Sequence, residues 1–171
     1  MCAKDGLNAM LVVSDATPLH YLVLIGEIDL LRELYRAVVV PTAVIEELSA
    51  PQAPVKVQRW VAGLPSWVSI APPLSSVASP FHALGAGECA AISLARQSRN
   101  SILLTDDQQA RVAAESLGIR VVPTIRVLST ASALSLVDLD DALKRLQQTN
   151  FRVSPKVIEA ILHRKPVESQ E

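Results

Sequence analysis

The stretch Met10-Leu-Val-Val-Ser-Asp-Ala-Thr-Pro-Leu19 decides how the rest of the chain is read. Met10 to Val13 is a short apolar, β-branched run, which predicts a buried strand. Asp15 follows at its C-terminal end. Thr17 has N-cap chemistry and Pro18 suits the first helical position, so a helix is expected to begin at once. A carboxylate is thereby held on a strand-to-helix turn, the place where α/β sheets build their ligand sites.

Working outward, the same alternation recurs. Leu19 to Ile25 continues the first helix and Gly26 ends it; Asp29 to Tyr35 carries the apolar stripe Leu30, Leu31 and Leu34. Ala37 to Val40 predicts a strand, with helices over Thr42–Ser49 and Val55–Ala62. Trp67 to Ile70 is expected as an edge strand, and residues 71–83, rich in Pro and Ser, as an irregular and mobile segment. Gly85 to Ser98 predicts a helix and Ile102 to Leu104 a buried strand ending in Thr105-Asp106-Asp107. The helix through Ala110, Ala114 and Leu117 stops at Gly118, and Ile119 to Val122 gives one more strand before Pro123 opens another helix. Asp138–Gln148 and a Ser154-capped segment to His163 close the fold. Strands alternating with helices predict an α/β protein with a central parallel sheet of four to five strands covered on both faces.

Composition bounds the class. The 171 residues suffice for one domain with a real core, expected over 1–165 with a disordered tail at 166–171. Half the residues are hydrophobic and 19% are charged, which excludes disorder. Aromatics make up 4%, so stacking platforms for single-stranded nucleic acid are scarce. The formal net charge of −1 advertises no nucleic-acid partner, and one would have to be held by a local patch or through metal ions. Cys2 and Cys89 form no motif and suggest reduced, cytoplasmic thiols. The N-terminus lacks a signal-peptide pattern, and no stretch is apolar enough to span a membrane.

The acids fall in telling places. In the helix over 42–49 the apolar direction is set by Val44, Ile45 and Leu48; Glu46 points nearly opposite and Glu47 lies on the flank. Glu47 is thus the candidate site residue. Glu88 falls inside the apolar arc of Ala91, Ile92 and Ala95, where a carboxylate must be protonated, paired or bound to a cation. Its place in the first turn also suits a helix-dipole role. Asp106 and Asp107 sit where a buried strand becomes a helix; capping explains one of them and not both. Asp and Glu oxygens, with the Thr17 hydroxyl beside them, suit hard cations such as Mg²⁺ or Mn²⁺. His20, His82 and His163 are isolated, so zinc is not indicated, and no nucleotide-binding glycine motif or nucleophile elbow is present.

In four blocks the sequence resembles the PIN-domain family, and within it the uncharacterised prokaryotic branch similar to VapC-like toxin ribonucleases of toxin–antitoxin pairs. The blocks are Val13-Ser-Asp-Ala-Thr-Pro-Leu19, Pro41-Thr-Ala-Val-Ile-Glu-Glu-Leu48, Leu84-Gly-Ala-Gly-Glu-Cys-Ala-Ala-Ile92 and Leu104-Thr-Asp-Asp-Gln-Gln-Ala-Arg111, in the family's order. The resemblance covers roughly residues 11–164. It implies a three-layer α/β/α fold, an acid cluster that binds Mg²⁺ or Mn²⁺, and cleavage of single-stranded RNA by metal-activated water. By motif position the first three acids map to Asp15, Glu47 and Glu88, and Thr17 takes the small hydroxyl position. Thr-x-Asp spacing favours Asp107 as the fourth, and strand-end position favours Asp106. The implied metal ligands are Asp15, Glu88, Asp106 and Asp107. The implied partners are single-stranded RNA, an antitoxin protein and a second copy of the chain as a homodimer. Arg111, one turn beyond Asp107, is placed to touch a phosphate or, as the favoured expectation, to pair with an acid.

Two other functions compete. A catalytically silent PIN fold would bind RNA or protein without cleaving. A phosphotransfer receiver also uses acids at strand ends and Mg²⁺, but needs its acid pair after the first strand and a Lys late in the sheet. Here the pair follows a later strand and Ile119–Pro123 contains no Lys.

Overall fold

A computed structural model of the chain describes residues 9–74 and 83–163. His82, the centre of the 71–83 segment and the 166–171 tail lie outside these residues.

Five short strands form one all-parallel sheet: β1 (Leu11–Ser14), β2 (Val38–Pro41), β3 (Val68–Ala71), β4 (Ser101–Leu104) and β5 (Arg120–Val122). Their order across the sheet is β3-β2-β1-β4-β5, so β3 is an edge strand, as its half-exposed sequence predicts. Parallel strands need covering on both faces, because a hydrogen-bonded partner cannot return by a hairpin and helices fill the crossovers. Alternate side chains divide accordingly. Val12, Val38, Val40, Ile102 and Leu104 face one core; Val13, Leu103 and Val39 face the other.

The first core is roofed by α1 (Ala16–Leu24), α2 (Leu30–Tyr35), α3 (Thr42–Ser49), α4 (Val55–Ala62), α7 (Thr124–Ala133) and α8 (Leu139–Gln147). The second is covered by α5 (Ala86–Ala95) and α6 (Gln108–Ser116), whose buried faces are mostly alanine. Small side chains let those two helices lie close to the sheet. The last helix, α9 (Pro155–Leu162), is capped by Ser154 and packs against α7. The result is a three-layer α/β/α domain.

Some local expectations are corrected. The N-cap of α1 is Asp15 and not Thr17: the Asp15 carboxylate accepts from the Thr17 N–H at 3.2 Å, and Pro18 sits in the first turn, where a missing N–H costs nothing. Of the two aspartates between which the sequence left the α6 cap open, Asp107 is the one that caps it, accepting from the Ala110 N–H at 2.7 Å. The helix expected over Gly85–Ser98 runs Ala86–Ala95, because the polar Arg96–Asn100 stretch has no apolar face to bury. Gly118 does end α6 as expected, with φ +76, a backbone conformation that side chains with a Cβ disfavour.

The strand order also fixes where a site can form. The chain builds β2 and β3 on one side of β1, then crosses to place β4 and β5 on the other. The C-terminal ends of β1 and β4 therefore lie at the point where connections diverge, which leaves a crevice above them. Asp15 follows β1 and Thr105 follows β4 directly, paired in register through Ser14 and Leu104.

Candidate active site

Asp15 sits in that crevice and is 4% exposed. Its backbone is held by the Asp15 N–H donating to the Leu104 carbonyl at 3.0 Å. One carboxylate oxygen accepts from the Thr17 N–H; the other accepts from the Thr105 hydroxyl at 2.5 Å. Burial pushes its carboxyl up to about 6, against the lowering pull of the Thr105 and Thr17 hydrogen bonds, and Glu88 and Glu47 push it the same way as burial. Two further acids therefore lie near enough to add like charge to it.

Glu88 lies in the first turn of α5 and is half-buried. Its Oε2 accepts from the Gly85 N–H at 2.7 Å, closing one orphan donor at the helix start. The helix-dipole role is thus real, and it engages only Oε2. Glu46 and Glu47 are both exposed. The sequence distinction between them lies in direction: Glu47 lays Oε2 against Gly87 of α5, where an added Cβ would stand 3.1 Å from it. Against that helix it loses enough water, with Glu88 adding repulsion, for its carboxyl to rise above the ordinary value. Gly87 is the residue that lets α3 and α5 bring Glu47 and Glu88 together.

The two aspartates after β4 separate in role. Both Asp106 oxygens are taken by Thr124, Oδ1 accepting from its N–H at 2.8 Å and Oδ2 from its hydroxyl at 2.6 Å. Burial raises the Asp106 carboxyl, and the two Thr124 hydrogen bonds oppose that rise. Asp106 fastens the end of β4 to the start of α7. Asp107 uses one oxygen to cap α6 and has its second without a hydrogen-bond partner among the described residues.

Thr105 was not singled out by residue type, yet it joins the two halves. It is 1% exposed, donates its hydroxyl to Asp15, and accepts from the Asp107 N–H at 3.2 Å. One side chain sets the spacing of the first and fourth acids. The available signal was the Thr-x-Asp spacing itself, read together with the in-register pairing of β1 and β4. Thr124 was also missed; nothing local in the sequence links it to Asp106.

Beside the acids, Thr17, His20, Tyr21, Glu47, Gln52 and Asn150 line an open cleft of about 340 Å³. The Tyr21 hydroxyl donates to Asn150 at 3.0 Å. His20 packs edge-on to Tyr21, and burial lowers its pKa, so the neutral ring is favoured. Arg111 pairs with Glu115 at 3.0 Å, one helical turn on, as the favoured expectation had it.

The donor set is all oxygen, which suits a hard divalent cation. Among the described residues no three His, Cys, Asp or Glu side chains stand close enough to hold an ion as they are. Mg²⁺ fits such a setting, because it keeps several waters and takes one or two carboxylates together with substrate phosphates.

No curated protein and no solved structure matches the chain. A family model described as PIN domain matches residues 11–165, from the first strand to the end of α9. PIN domains are in general nucleases that use divalent metal ions. With that match over nearly the whole chain and an all-parallel five-stranded sheet, the protein belongs to the PIN-domain family.

Proposed function

We propose that the protein is a metal-dependent endoribonuclease that hydrolyses phosphodiester bonds in single-stranded RNA, as the toxin of a toxin–antitoxin pair. One observation carries the reading: a carboxyl, Asp15, is buried at the crevice of the sheet and kept there by two hydrogen bonds, with Glu88 and Glu47 adding a smaller like-charge repulsion. A fold tolerates that arrangement at a cost unless a cation offsets it. Asp15 and Glu88 are the residues that would hold Mg²⁺ or Mn²⁺, with Asp107 contributing through water or substrate. Glu47, whose carboxyl burial and Glu88 raise above its ordinary value, is suited to take a proton from the attacking water. Thr105 keeps Asp15 and the start of α6 in register, and the Thr17 hydroxyl sits at the mouth of the adjoining cleft. When bound, the ion supplies a more acidic water and neutralises charge on the phosphate. Asp106 is assigned to anchoring and not to the ion, since Thr124 takes both its oxygens and, unlike Asp15, it feels no repulsion from Glu88 or Glu47.

As a toxin it has an antitoxin that covers the acids, with an Arg or Lys set among the carboxylates, and it pairs with a second copy of itself. A silent RNA- or protein-binding module is the second reading, favoured by the absence of any three tightly grouped ligands among the described residues. Purified protein with Mn²⁺ and an end-labelled single-stranded RNA separates them, with Asp15→Asn as contamination control. Cleavage that disappears in chelator and in the variant supports the nuclease. Intact RNA, or equal cleavage by the variant, leaves the silent module.

A further inference from the structure

A second cleft opens beside the edge strand β5. Pro123, immediately after β5, lies at the same end of the sheet as Asp15 and Thr105. Around it, Arg111 of α6, Arg126 of α7 and Lys156 of α9 line an open space of about 390 Å³, floored by Val121, Val157 and Ala160. No acid lines it. Arg111 shares its charge with Glu115, while Arg126 and Lys156 have no carboxylate partner among the described residues. In a chain of net charge −1, three cations from three separate helices on one cleft are a local concentration that composition conceals.

The chain ties this cleft to the acids on both sides. Asp106 grips Thr124, the residue after Pro123, and Asp107 begins the helix that carries Arg111 one turn later. Across the sheet, β5 is two strands from β1, a separation of roughly 10 Å. A polyanion reaching the acids is repelled by them, so it needs cations beyond the rim to hold it in place. We propose that this cleft is a backbone-binding subsite for single-stranded RNA, in which Arg126 and Lys156, with Arg111, take phosphates adjacent to the one at the acid cluster. The inference rests on the nuclease reading for its ligand. An apolar floor and no aromatic ring among the described lining residues mean that phosphates, not stacked bases, supply the affinity, so binding depends steeply on salt and little on sequence.

The test measures binding in chelator, where cleavage is off. Fluorescence anisotropy of a labelled oligouridylate gives the dissociation constant from about 50 to about 200 mM salt. The pair Arg126→Gln with Lys156→Gln keeps the side-chain stems and removes two charges. It is expected to weaken binding about tenfold or more near ~0.1 M salt and to flatten the log–log salt slope by about 1.4, at ~0.7 per phosphate contact. Arg126→Lys with Lys156→Arg restores slope and affinity, and Lys144→Ala, exposed on α8, changes neither. Melting curves establish that each variant is folded. Parental affinity and slope in the Gln pair, an equal effect of Lys144→Ala, or no RNA binding by the parent overturns the proposal. Displacement of RNA by polyglutamate at matched charge marks a surface for acidic protein and also overturns it. Cleavage in Mn²⁺ is followed in parallel: a parent that cleaves while the Gln pair binds normally sinks the cleft alone. A parent that binds through the cleft without cleaving sinks the nuclease alone.

Discussion

Replacing Asp15 by Asn separates a strained site carboxylate from an ordinary helix cap. The Asp15 carboxyl stands at about 6 in the fold against 3.8 in an unconstrained chain. The folded state therefore binds this proton more tightly than the unfolded one. Its contribution is fully favourable below pH 3.8 and is lost as pH rises through about 6. Above that, holding the charge inside costs about 3 kcal/mol, at ~1.4 kcal/mol per pH unit. Asn removes the charge and its repulsion by Glu88 and Glu47. It gives up part of the two hydrogen bonds from Thr105 and Thr17, a loss of about 1–2 kcal/mol. The balance favours the variant by about 1–2 kcal/mol near neutrality, which for a domain this size raises Tm by roughly 2–8 °C. Thermal melts in chelator at about pH 7.5 and about pH 4.5 read both magnitude and sign, because at the lower value the parent's carboxyl is largely protonated and the advantage vanishes. A variant that melts below the parent at neutral pH, or a difference that ignores pH, refutes the reasoning and returns Asp15 to a capping role.

Thr105→Val leaves a buried Asp15 oxygen and the Asp107 N–H without their partner, and is expected to lower Tm by roughly 4–12 °C, while Thr105→Ser restores it; the check is a thermal melt of each. Gly87→Ala forces a Cβ against Glu47 Oε2 and Val44, at 3.1 and 3.2 Å. It should displace Glu47 and cut RNA cleavage at least tenfold while Tm moves only a few degrees, the helix-propensity gain of about 1 kcal/mol offsetting the crowding. Thr124→Val costs about 1–2 kcal/mol by removing one of two donors to Asp106, and because Asp106 is an anchor, the Mn²⁺ dependence of cleavage is expected to survive, as a metal titration would show.

Much of this was legible from local pattern. The β-branched runs of Val12–Val13 and Val38–Val40 fix buried strands, and their separation by helices fixes a parallel sheet. The sequence direction of Glu47 survives even though Glu46 and Glu47 are both exposed, because helical geometry alone turns one of them toward α5. The cap of α1 was misassigned to Thr17, and that of α6 stayed open between Asp106 and Asp107, for one physical reason. Where several cap-competent residues adjoin, the choice depends on where the strand stops, and pairing with a neighbouring strand sets that point. Contacts made across the chain were not legible: Thr105 to Asp15 and Asp106 to Thr124 join residues that only the strand order brings together. The basic cleft was invisible for the same reason, since its three cations come from three helices.

The central claim is that the crowded acids are a divalent-cation site, and a Mn²⁺ titration followed by thermal melting tests it most directly. Binding to the folded state alone stabilises by about 2.7 kcal/mol at a hundredfold excess over the dissociation constant, so the parent's Tm at neutral pH should rise by roughly 5–10 °C. Asp15→Asn, and independently Glu88→Gln, should flatten that response. A parent indifferent to Mn²⁺, or an Asp15→Asn protein that responds as strongly as the parent, would contradict it.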